Sequence, residues 1–116
     1  MIEARFYQKP GRGSIHMVIK GHAGAAPKGE DLICASATML AYTVGQVVQF
    51  LHEQGRLRRE PKIQITEGKA VIIATPTEEG YAEALYAFWV AQCGVHVLAH
   101  NYPQQVKLEG FQNVTA

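Results

Sequence analysis

The sequence predicts an α/β fold of the α+β type. It is a two-layer sandwich with two long helices on one face of a mixed, mostly antiparallel five-stranded sheet, in the order ββαββαβ. Three observations carry this reading. Ile2 to Tyr7 and Ser14 to Gly21 alternate apolar with polar residues, the period of a strand. From Ile33 and again from Tyr81, apolar residues recur every three or four positions, the period of a helix. Short β-branched runs flank Glu67-Gly68-Lys69 and read as a hairpin, and interspersed strands and helices of this kind build layered sandwiches. A chain of 116 residues fits one domain over 1–116.

Taken in order, the first strand ends at Pro10-Gly11-Arg12-Gly13, a cluster of strong turn formers. The second strand places Ile15, Met17 and Ile19 on one face and His16, Val18 and Lys20 on the other. Ala23 to Glu30 holds little that could anchor it to a core, which predicts a mobile loop. Asp31 offers an N-cap carboxylate. Ala37, Leu40, Val44, Val47 and Leu51 then carry a helix as far as Gln54, before Gly55. Within it Ala37, Ala41 and Gly45 form a row of small residues where another backbone can approach closely. Lys62 to Thr66 and Ala70 to Ala74 form the second hairpin. Thr75-Pro76-Thr77-Glu78-Glu79 opens the second helix, which carries Tyr81, Leu85, Phe88, Trp89 and Val95 near one side and stops before Asn101-Tyr102-Pro103. Gln104 to Glu109 supplies the fifth strand.

Composition narrows the function. Eleven basic against ten acidic residues leave a net charge of +1, without the basic footprint of a dedicated nucleic-acid binder. Charged residues are 18% of the chain, below the roughly 25% usual in soluble domains, which suits a surface partly covered by a second copy in a homodimer. The longest weakly polar run, Leu32 to Tyr42, is shorter than the roughly 20 residues of a membrane span, and Met1 to Tyr7 carries charge at Glu3 and Arg5. A cytosolic protein that makes no membrane contact is expected. There Cys34 and Cys93 remain thiols, and their separation resembles no zinc-ligand spacing, so neither metal nor cofactor is called for.

Counting from a cap at Asp31, Cys34 is the third helical residue, where unpaired amides and the helix dipole favour a thiolate. The same amides could stabilise an oxyanion. The plain alternative is a small, buried apolar side chain, the usual state of a cysteine and the reading for Cys93. His22 follows the second strand between Gly21 and Ala23, so its imidazole stands at the sheet edge within reach of a helix start twelve residues later. A Cys-His pair is geometrically allowed, and so is a turn histidine bonded to nearby backbone. Asp31 serves either as the helix cap, the favoured role, or as an orienter of His22. Arg56, Arg58 and Arg59 form a small basic run that reads as solvated surface. Tyr42, Phe50, Phe88 and Trp89 read as core aromatics at helical spacing.

Gly21-His22-Ala23 followed by Gly29-Glu30-Asp31-Leu32-Ile33-Cys34-Ala35 resembles the ribosomal-processing cysteine protease family, Prp. Its catalytic histidine and cysteine map to His22 and Cys34, and Tyr102-Pro103 with Val106 is similar to its closing strand. Ser36 and Thr38 depart conservatively from the family pattern. The resemblance implies a cytosolic, homodimeric thiol endopeptidase that needs no cofactor. Its partner would be the short N-terminal extension of large-subunit ribosomal protein twenty-seven, cut after an aromatic pair while the Ala23 to Glu30 loop orders over the peptide. The competing reading is a non-enzymatic ribosome-associated module, motivated by the arginine run and the small size.

Overall fold

In the computed structural model, residues 1–11, 13–22 and 28–112 are described, with side chains omitted for 28–31. Strands β1 (Ile2–Lys9) and β2 (Ser14–Gly21) pair antiparallel from Ile2↔Gly21 to Lys9↔Ser14. Their turn closes with the Gly13 amide donating to the Lys9 carbonyl at 2.9 Å. Helix α1 covers Lys28–Glu53, strands β3 (Lys62–Thr66) and β4 (Lys69–Ala74) form a hairpin, helix α2 covers Tyr81–Asn101, and β5 is Val106–Glu109. The sheet order is β3-β4-β2-β1-β5, and β5 runs parallel to β1. This is the predicted mixed sheet in the predicted element order.

Period-two burial explains the strands. Phe6, Met17 and Ile72 lie level across three neighbouring strands and are almost wholly buried beneath the helices. From α1 the stripe Ile33, Ala37, Ala41, Val44, Val48 and Leu51 meets them, and α2 adds Ala84, Phe88, Ala91 and Val95. A single cluster results. The small-residue row works as expected at Gly45, where a Cβ would come within 3.2 Å of Ile63 Cγ2 on β3. Gly94 does the same between the helices, since a Cβ there would sit 2.7 Å from Leu40 Cδ2.

Five expectations need correction. Helix α1 begins at Lys28, so Lys28 to Glu30 belong to the helix rather than the loop, and residues 23–27 lie outside the described residues. Asp31 is therefore inside the helix and cannot be its N-cap, while the orienting alternative lies outside the described side chains. Helix α2 begins at Tyr81, later than expected, because the Thr77 hydroxyl accepts the Gly80 amide at 3.1 Å and organises a preceding turn. Its inward face uses small residues, leaving Tyr81 and Trp89 exposed. Finally, Leu32–Glu53 and Tyr81–Asn101 are each long and apolar enough to cross a bilayer by length and composition, because scattered polar residues do not lower the mean hydropathy of a whole helix enough to exclude it. Their buried stripes pack on the sheet.

Candidate active site

Three segments distant in sequence converge at one end of the sheet. Strand β2 ends at Gly21, whose φ of +100° is open to glycine, and a Cβ there would run into the Met1 carbonyl. The chain is pinned as it leaves the strand, because the Gly21 amide donates to the Gly68 carbonyl at 2.9 Å. His22 follows with its side chain exposed and its ring against Gly68 in the β3–β4 turn. Gly68 has a φ of +76°, and a Cβ on it would lie 2.7 Å from His22 Nε2 and 3.0 Å from Cε1. The turn glycine is thus both a conformational requirement and the space the imidazole occupies.

Cys34 comes from α1, partly buried and packed against the core. Together with His22 it lines a cleft of about 440 Å³. Thr38 and Tyr42 extend the Cys34 row at four-residue spacing along the same helix face, and Ile65, Thr66, Glu67 and Lys69 form the opposite wall. The two residues singled out in the sequence therefore share one cavity, while Cys93 is exposed on α2.

The cleft also revises the reasoning that led to Cys34. With α1 starting at Lys28, Cys34 is the seventh helical residue and its amide belongs to the helix ladder. The first four amides, those with no partner within the helix, belong to residues 28–31. The dipole argument, confined to the first turn, does not reach Cys34. Tyr42, expected in the core, is 56% exposed and lines the cavity. Its signal was its place eight residues after Cys34, two turns along one face. Phe50 and Trp89 are likewise exposed, and only Phe88 of the four aromatics is core. Ser36 faces elsewhere, donating to the Leu32 carbonyl at 2.7 Å. Arg56 pairs with Glu83 at 2.7 Å and ties the loop after α1 to α2, which takes one charge out of the basic run.

Residues 1–107 match the family described as "Cysteine protease Prp". The chain belongs to that family. It is a cysteine protease, and of its two cysteines the one in the cleft is Cys34. Solved structures agree on the fold. The essential ribosomal processing protease Prp from S. aureus, in complex with a covalently linked product peptide, has a TM-score of 0.67 at 18% identity, over 95% of this chain and 99% of that one. The same protease with a substrate peptide has a TM-score of 0.65 at 17% identity, over 95% and 99%. SMU.848 from Streptococcus mutans has a TM-score of 0.67 at 23% identity, over 97% and 96%. No curated protein matches the chain.

Proposed function

We propose that this Prp-family protease cuts its substrate with a His22–Cys34 dyad. The imidazole takes the thiol proton, and the thiolate sulfur attacks the scissile carbonyl carbon. As the tetrahedral intermediate collapses, the carbon–nitrogen bond breaks and the same proton passes from His22 to the leaving amine. A thioester on Cys34 remains. Water, deprotonated by His22, then attacks it, releasing the new carboxyl terminus and returning the proton to sulfur. The observation that carries the reading is the shared cleft, with Gly68 kept bare where the ring stands.

The substrate we propose is the N-terminal extension of large-subunit ribosomal protein twenty-seven, in the cytosol and without direct nucleic-acid contact. The motif and the likeness to a ribosomal processing protease support it. We further propose a homodimer. An apolar groove of about 300 Å³ between the helices, lined by Leu40, Val47, Tyr86 and Val90 and flanked by exposed Val97 and Met39, supports a covered surface there. The ribosome-associated module loses part of its motive, since Arg56 is engaged by Glu83. Mass spectrometry of an extended precursor decides the matter. The wild type trims it, and Cys34→Ala and His22→Ala each abolish trimming with the melting temperature kept. Trimming by Cys34→Ala refutes the nucleophile. Iodoacetamide alkylation of Cys34 slows in His22→Ala, and an unchanged rate refutes the pairing.

A further inference from the structure

The cleft does not end at Tyr42. A second depression of about 360 Å³ continues between α1 and β3, lined by Gly45, Gln46, Gln49 and Ile63, and it shares Tyr42 and Ile65 with the first. Strand β3 is the last in the sheet order, so its outer edge has no strand partner among the described residues. In a two-residue hairpin the pair flanking the turn, here Thr66↔Lys69, exchanges both backbone hydrogen bonds. Counting back in alternation, Ile63 and Ile65 aim their N–H and C=O groups outward along the free edge. The side chains of those two residues lie toward α1, level with buried Ile72 and Ala70, yet Ile63 remains 39% exposed.

Edge strands with apolar, half-covered side chains are templates for another strand. Because this one leads straight into the cavity that holds Cys34, the geometry points to a substrate subsite. We propose that an extended arm of the substrate peptide adds beside β3 as a sixth strand, placing apolar side chains at alternate positions against Tyr42, Ile65 and Ile63. This rests on the protease reading above. The distance along α1 from Cys34 to Gln49 is about 22 Å at 1.5 Å per residue. That accommodates about six or seven extended residues at roughly 3.4 Å each. Recognition is then by main-chain pairing with a two-residue apolar repeat, and it reaches well beyond the residues beside the scissile bond.

Synthetic peptides test this with the wild-type chain and an Ile63→Lys variant, since Ile63 lies in the trough and outside the catalytic cleft. A long peptide carrying seven residues on each side of the cut should have a KM roughly tenfold below that of one truncated to two residues on each side. N-methylation of every second amide in one arm should raise KM about tenfold with kcat kept, while methylation of the intervening amides does little. Ile63→Lys should raise KM for the long peptide and leave the short one unchanged. Cleavage of long and short peptides with equal KM, or N-methyl effects without alternation, overturns the trough subsite and leaves the dyad standing. Failure of the wild type to cut any of the peptides overturns the protease reading and the subsite together.

Discussion

Gly68→Ala isolates the role of the β3–β4 turn, because Gly55→Ala provides a matched control. Both glycines have nearly the same left-handed backbone, φ +76° and +73°, so alanine at either site carries a similar conformational cost, about 1–2 kcal/mol. For a domain of this size that lowers the melting temperature by roughly 4–8 °C. A Cβ on Gly55 meets nothing within 4 Å, whereas one on Gly68 lies 2.7 Å from His22 Nε2. To reach ordinary contact the ring must retreat by about 0.7 Å, and misplacements near 1 Å cost on the order of 100-fold in rate. The imidazole is the far end of an exposed side chain, so the ring swings away and the fold holds. The expected outcome is similar melting for the two variants, with kcat/KM on the extended precursor reduced about 10- to 100-fold only in Gly68→Ala. Equal activity in the two variants refutes the argument that the bare turn positions His22.

Two further outcomes follow from packing. His16, 4% exposed and stacked on Tyr7 at 4.5 Å, has its pKa lowered below the ordinary 6.5, first by burial and then by the Lys9 ammonium. Its Nδ1 has no hydrogen-bond partner, so a second proton there is disfavoured in the folded state. The unfolded chain binds that proton more readily, and stability present above pH 6.5 is lost as the pH falls below it. His16→Phe, which keeps the stacking, should flatten the melting temperature between pH 7 and 5, and an unchanged slope assigns the acid sensitivity elsewhere. Gly94→Ala should destabilise by about 1–3 kcal/mol through overpacking against Leu40, and Leu40→Ala, which removes the obstructing branch, should recover part of that loss in a thermal double-mutant cycle. Strictly additive effects contradict the close helix contact.

Local periodicity set most of the architecture, because strands and helices bury residues at repeats of two and three to four. Ile15, Met17 and Ile19 go inward as their alternation requires, and so do Ala37, Val44 and Leu51 of the first helical stripe, whereas its Leu40 and Val47 are only partly buried and line the groove between the helices. The failures share a cause. Tyr81, Trp89 and Tyr42 look like core by size, but small residues such as Ala41, Ala84 and Ala91 take buried positions on the two helices and Gly94 lets Leu40 come close, while the large aromatics stay exposed. The helix starts at Lys28 rather than at Leu32, four residues earlier, which takes Cys34 out of the first turn and removes the electrostatic argument for it.

By itself the sequence determined the element order, the strand faces and the two chemical groups worth watching, since these depend on neighbours a few residues apart. Only the tertiary structure decided that His22 and Cys34 open into one cavity, that Gly68 makes room for the ring, and that β3 is the outermost strand beside that cavity. Those facts arise from strand order and helix approach, which bring together residues dozens of positions apart and leave no local signature in the chain.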